Sequence, residues 1–298
     1  MGAGVKLGKP GLDYTWDPNG KPRKPTALCI GAQKAGTSWL SQMLRQHPQI
    51  WVPPFKEAHF FNHRFLPAQR YWIAWHYRTQ PQDIRDRHAR REIPMPPELD
   101  DYLTHISTAK HIYTNRWYKD VFAPAPADAT PMDFSPEYST LPEEGVEFVA
   151  KFLNRARIIY LIRHPVDRAV SQLRMNLRRE KRTPRSTDAW LAELDNPVLE
   201  ERGRYSEYVP RWQQHFGDRL MIQPYGRIAA DPERLMRDVE GHLAIRPFPY
   251  ANMAERVFAT PRGLEPPAEV IAALAQRLAP EVAFLADHFG DDFLSRTR

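Results

Sequence analysis

Thr26-Ala27-Leu28-Cys29-Ile30-Gly31-Ala32-Gln33-Lys34-Ala35-Gly36-Thr37-Ser38-Trp39 is the stretch whose reading decides the fold. Thr26 to Ile30 is a short apolar run of the β type, and Gly31 to Gly36 is small and flexible apart from Lys34. From Ser38 onward, Leu40, Met43 and Leu44 recur on one helical face. The order is strand, loop, helix. Such a loop aims several backbone N–H groups and the positive end of a helix at one point, which suits a phosphate. The same residues also fit an ordinary strand-to-helix turn.

The loop departs from that of nucleoside triphosphatases, where Lys directly follows the second Gly and Ser or Thr comes next. Here Thr37 and Ser38 follow Gly36, and Lys34 precedes it. A lysine so placed approaches the phosphate from the other side of the loop. That suits a 5′-phosphate leaving group better than the β/γ pair of a triphosphate.

A chain of 298 residues with 42% hydrophobic content can bury one large α/β core. The expected division is an N-terminal extension over 1–25 and a single domain over 26–298. The sequence has no run of 18 apolar residues and no apolar leader at its start, so a soluble protein not exported by that route is expected. The lone Cys29 excludes an internal disulfide framework and reads as a small buried hydrophobe. Zinc-type Cys/His spacing is absent, and no metal site is expected. A net charge of +6 favours anionic ligands without choosing among nucleic acid, anionic glycan and nucleotide, and solvated helix faces give the same balance.

Ile50 to Val52 can make a second short strand, stopped by Pro53-Pro54, after which comes Phe55-Lys56-Glu57-Ala58-His59-Phe60-Phe61-Asn62. Lys34 and Glu57 are separated by 23 residues, enough for a helix outward and an extended return, so they can share a site. Glu57 is therefore a candidate base; a surface pair with Lys56 or an arginine fits the same spacing. Tyr71, Trp72, Trp75, His76 and Tyr77 form an aromatic face at helical spacing that reads as core packing. Arg85, Arg87, Arg90 and Arg91 read as a solvated helix or loop, or as a contact for an acidic acceptor.

Arg157 to Ile162 is a continuous apolar strand of the kind buried in parallel sheets, and it ends in Arg163-His164-Pro165. A helix follows, with Val166, Ala169, Val170, Leu173 and Leu177 in register. A triphosphatase needs a strand-end carboxylate for Mg²⁺, whereas this strand delivers Arg163, with Ser171 further along the helix. A cation and a hydroxyl bind phosphate and do not bind magnesium. The cargo expected from these residues carries a second phosphate and needs no metal. Asp167, on the first helical turn, complements the helix dipole. With Leu220 to Pro224 as a third apolar strand, and a helix pair between Pro267 and Leu294, the pattern predicts a P-loop-like central parallel sheet flanked by helices.

Taken together, these motifs resemble sulfotransferases that use 3′-phosphoadenosine 5′-phosphosulfate (PAPS). Lys34, Ala35, Gly36, Thr37, Ser38 and Trp39 resemble that family's 5′-phosphosulfate loop, and Arg163 with Ser171 resembles its 3′-phosphate motif. Lys56 to Phe61 is similar to a segment of glycan sulfotransferases, such as the heparan sulfate N- and 3-O-enzymes, whose glutamate is the base. Asp133 to Tyr138 is similar to their acidic Ser/Thr-Pro-x-Tyr element. Arg262-Gly263 partly matches the phosphate-binding loop near the family's C-terminus, and the closing helices resemble bacterial members, so the likeness spans residues 26–294.

The resemblance implies transfer of a sulfuryl group from PAPS to a hydroxyl or amine of a glycan or small molecule, giving adenosine 3′,5′-bisphosphate without a metal. Glu57 would be the base, His59 would position it or the acceptor, and Lys34 with Lys56 would stabilise the leaving oxygen. It also implies a cytoplasmic enzyme of bacterial type, with no nucleic-acid or membrane partner. Tyr225-Gly226-Arg227 departs from the pattern, standing where many members have Tyr-Glu-Asp. A Mg²⁺-dependent P-loop small-molecule kinase, or a protein that binds nucleic acid or another polyanion, are the competing readings.

Overall fold

The apolar head of the quoted stretch becomes β1 (Ala27–Gly31), the middle strand of a parallel sheet. Its companions are β2 (Ile50–Trp51), β3 (Thr130–Phe134), β4 (Arg157–Ile162) and β5 (Leu220–Pro224), in the order β2-β3-β1-β4-β5. The structure, a computed structural model, describes residues 21–108, 112–254 and 264–298. Leu28 pairs with Asp133 on one side and Ile158 on the other, and Ile159 pairs with Met221. Every residue of β1, and all of β4 beyond Arg157, is buried. Both faces of the sheet centre are covered, which is why these strands read as unbroken apolar runs.

Helices α1 (Thr37–Leu44), α2 (Phe60–Phe65), α3 (Arg70–Arg90), α4 (Pro97–Thr108) and α5 (Asn115–Val121) precede β3, and α6 (Glu143–Phe152) joins β3 to β4. Between β4 and β5 lie α7 (Pro165–Arg179), α8 (Thr187–Ala192), α9 (Val198–Glu201) and α10 (Tyr205–Phe216). After β5 come α11 (Arg227–Ala230), α12 (Pro232–Leu243), α13 (Ala268–Arg277), α14 (Ala279–Phe289) and α15 (Asp291–Ser295). Local chemistry sets several of the starts. Pro165 and Pro232 occupy the first turns of α7 and α12, where a missing N–H costs nothing. Thr114 Oγ1 caps α5 by accepting from the Trp117 N–H at 3.2 Å. Among the described residues no helix is long and apolar enough to cross a membrane.

Two expectations need correction, and two stretches hold elements that were not expected. Strand β3, with Pro131 and Asp133 in its interior, was not expected as a strand. Its carboxylate is buried but fully used: Oδ1 accepts from Ser135 Oγ at 2.8 Å, and Oδ2 accepts from the hydroxyls of Tyr118 (2.8 Å) and Tyr138 (2.9 Å). Those bonds offset a burial that otherwise costs several kcal/mol. The aromatic face of α3 is not one surface: Tyr77 is core, Trp72 and His76 are half-buried, and Tyr71 and Trp75 are 85% and 52% exposed. The closing helix pair is three helices, because Gly290, at φ 86°, breaks the run before α15. Residues 186–204, for which no element was expected, hold α8 and α9, with Trp190, Leu194 and Leu199 buried.

The departure at Gly226 has a structural cause. Gly226 N–H donates to Arg296 O at 2.7 Å, and His164 N–H donates to Thr297 O at 2.9 Å. Residues 296–298 thus lie across the ends of β4 and β5, and a Cβ at 226 would run into the carbonyl oxygens of Arg296 and Arg298. Glutamate at this position would displace that segment.

Candidate active site

The loop after β1 is shaped by two left-handed residues, Lys34 (φ 71°) and Gly36 (φ 85°), with the Ala35 N–H donating to Ala32 O at 3.0 Å. Gly36 precedes α1 with no side-chain cap, which leaves the first N–H groups of the helix for a ligand. A side chain at Gly36 would strike Ile228 and come within 3.1 Å of the Tyr225 ring, so these residues wall the loop.

Lys34 is half-buried, and its pKa is lowered first by burial and then by the charges of Arg163, Lys56, Arg168 and Arg178. A cation whose charged neighbours are cations is built to meet an anion. Arg163 Nη1 donates to the Lys34 carbonyl at 3.0 Å, its guanidinium lies 4.6 Å over the Tyr225 ring, and its buried Nε has no partner among the described residues. Ser171 lies on α7, the helix that follows β4, and is half-buried.

Arg168 and Arg178, both on α7, enlarge the cluster and were not singled out in the sequence. Arg168 is fully buried, donates from Nη2 to Leu199 O, and is pushed down to about 10 mainly by desolvation. Trp39 is also buried, and its indole N–H donates to Met253 O at 3.0 Å, so it anchors residue 253 beside the loop. Arg262 and Gly263 lie outside the described residues.

Across from the loop, Lys56 Nζ donates to Ser38 Oγ at 2.9 Å and lies 3.6 Å from Glu57 Oε1. Glu57 (φ 74°) and His59 (φ 49°) take the left-handed backbone that non-glycine residues avoid, as Lys34 does. Such strain, of order 1–3 kcal/mol per residue, gathers at functional sites. His59 is fully buried; its Nε2 faces Glu57 Oε2 at 3.2 Å, and the edge of its ring meets Trp72 with centroids 4.7 Å apart. Burial raises the Glu57 pKa, but the His59 hydrogen bond and the Lys56 charge outweigh it, so the carboxyl sits well below its usual range. Burial lowers the His59 pKa, yet Glu137 and Glu57 together carry it above its ordinary value. Desolvation, then the His59 charge, pushes His76 down to about 4.

Glu137, Arg202 and Gln33 belong to this site and were missed. Glu137 Oε2 lies 3.3 Å from His59 Nδ1, while its Oε1 is 3.0 Å from both Arg202 Nη2 and Gln33 Nε2. Arg202 Nη1 also donates to Gln33 Oε1. Glu137 had a sequence signal inside the Asp133 to Tyr138 segment, and Gln33 lies in the loop beside Lys34; nothing local marks Arg202. Ligand atoms of Glu57, His59 and Glu137 fall within 4.8 Å of one another. Each carboxylate faces a different ring nitrogen, Glu57 through a hydrogen bond to Nε2 and Glu137 at ion-pair distance from Nδ1. A cleft of about 380 Å³ adjoins the site, with Leu66, Gln69, Trp72, Glu201 and Arg202 among its walls.

A family model described as "Sulfotransferase family" matches residues 25–249. Heparan sulfate glucosamine 3-O-sulfotransferase 3A1 of Mus musculus is 24% identical over 253 residues, covering 82% of this chain and 52% of that protein. Heparan sulfate glucosamine 3-O-sulfotransferase 3B1 of Homo sapiens is 24% identical over 236 residues, covering 76% and 48%. The chain thus spans about half the length of these curated relatives. A crystal structure of a sulfotransferase from Alicyclobacillus acidocaldarius superimposes with a TM-score of 0.65 at 23% identity, over 92% of this chain and 99% of that one, which shows a shared fold.

Proposed function

The chain belongs to the sulfotransferase family, and we propose that it moves a sulfuryl group from PAPS to a hydroxyl or amine of a carbohydrate or small-molecule acceptor, releasing adenosine 3′,5′-bisphosphate. The observation that carries the reading is the 3.0 Å hydrogen bond from Arg163 to the Lys34 carbonyl. It supports a single site shared by the strand-end cation and the loop that carries the lysine, where one bisphosphate would engage both. The residues fit such a donor: Arg163 keeps a buried Nε unpartnered among the described residues, and the charges that shift Lys34 are those of four cations.

In this reading the loop N–H groups, Thr37 and Ser38 hold the 5′-phosphate, while Arg163 and Ser171 hold the 3′-phosphate and so select the donor over ATP. The donor supplies the sulfuryl group and its leaving phosphate. Lys34 faces the leaving oxygen. Lys56, between Ser38 Oγ and Glu57, spans donor loop and base and neutralises charge on the same oxygen. Glu57 is ionised at neutral pH and accepts the proton of the attacking group. A base held so acidic takes that proton late, when the nucleophile has lost charge to sulfur, in keeping with a loose, in-line transfer. The acceptor enters by the cleft beside Trp72. A carbohydrate is supported by the names of the curated relatives. The cytoplasmic setting belongs to the same proposal, in line with a single cysteine buried in β1.

The test is a transfer assay with labelled PAPS against sugar, amine and small-molecule acceptors, next to the same assay with ATP·Mg²⁺. The reading expects label to move from PAPS in the presence of a chelator. Phosphoryl transfer from ATP with none from PAPS would overturn it.

A further inference from the structure

The imidazole of His59 is enclosed by groups that fix its proton count. Asn62 Nδ2 donates to the Glu137 carbonyl at 3.0 Å, which leaves Asn62 Oδ1 toward His59 Nδ1 at 3.4 Å. Nδ1 therefore has this amide oxygen as its acceptor, with Glu137 Oε2 3.3 Å away at ion-pair distance, and Nε2 faces Glu57 Oε2. A neutral imidazole has one donor and one acceptor nitrogen, so acceptors on both sides require both protons. The other ionisable groups acting here are Lys56 beside Glu57, His76 with its ring centroid 5.2 Å from that of His59, and Asp133 on β3. Glu137 is itself held by Arg202 and Gln33, and Gln33 directly precedes Lys34.

We propose that Glu137 is a positioning residue: clamped by Arg202 and Gln33, its carboxylate fixes His59 as a doubly protonated cation against Glu57 and ties the base to the donor loop. In consequence His59 is not the proton acceptor; it orients Glu57 and holds a fixed positive charge beside the reacting groups. The catalytic part of this proposal rests on the sulfotransferase reading above, while the protonation of His59 does not.

The sign of the pH dependence follows from geometry and charge together. The folded His59 titrates above its unfolded value, so its pairing stabilises the fold fully below about pH 6.5 and loses that contribution as pH rises through the folded midpoint. The test follows His59 by nitrogen-detected NMR in the intact chain and in Glu137→Gln, alongside thermal unfolding and turnover. In the wild type both ring nitrogens should carry protons at pH 7, and Glu137→Gln should move the midpoint to lower pH. The gap in Tm between the two proteins should narrow from pH 6 to pH 9. Turnover should fall about 10²-fold, the cost of a misplaced catalytic group, with donor KM within about twofold. Its basic limb should move to lower pH, and Glu137→Asp should recover part of the loss.

A neutral His59 at pH 7 in the wild type would overturn the proposal even if Glu137→Gln fails to fold, and so would an unmoved midpoint in a folded variant. If the NMR result holds while no acceptor is sulfated, the sulfotransferase reading fails and the assignment of Glu137 to His59 stands.

Discussion

The two halves of the site are built in opposite ways. The proposed donor half is mostly two short runs, the loop after β1 and the exit of β4, brought together because those strands are neighbours in the sheet. The half around Glu57 draws on Lys56 to His59, Trp72 on α3, Glu137 after β3 and Arg202 after α9. The proposed donor half needs only two paired strands and the segments that leave them, whereas the proposed acceptor half draws on four separate stretches of the chain. Donor binding and transfer should accordingly be separable by mutation.

Glu57→Gln should have the largest effect, lowering kcat by about 10²-fold or more while affinity for adenosine 3′,5′-bisphosphate, measured by calorimetry, stays within about twofold. Normal turnover would remove Glu57 as the base. Arg163→Ala should act on the other half, weakening bisphosphate binding by about 2–5 kcal/mol if a desolvated charge pair is broken. Unchanged affinity would dissolve the distinction between the halves. Ser171→Ala should be milder, about 1.5 kcal/mol, the value of a hydrogen bond to a charged group. Trp72→Ala is expected to be the smallest, raising acceptor KM by roughly 0.5–1.5 kcal/mol through lost aromatic contact, with donor KM unmoved. A donor effect from Trp72 would mean that the cleft serves the nucleotide.

The same contrast explains what could be read from the residues in order. The donor loop and β4 announce themselves because apolar runs, glycines and a strand-end arginine lie next to one another. Glu57 and His59 were legible as candidates from the diproline and the charged-aromatic alternation after it. Arg202 was not, since it meets Gln33 across 169 positions and no local period marks it. β3 was obscured because its interior carries Pro131 and an acid, and only the folded chain supplies the three hydroxyls that satisfy Asp133. The exposed Tyr71 and Trp75 taught the reverse lesson, for helical spacing gives a residue its face but not what covers that face.

The account stands on one bisphosphate being gripped at both ends, and calorimetry with adenosine 3′,5′-bisphosphate in a chelator, beside ATP·Mg²⁺, tests it most directly. The predicted result is metal-independent bisphosphate binding at least about tenfold tighter than ATP·Mg²⁺, equivalent to 1.4 kcal/mol. Tighter binding of ATP·Mg²⁺, or no bisphosphate binding at all, would contradict it.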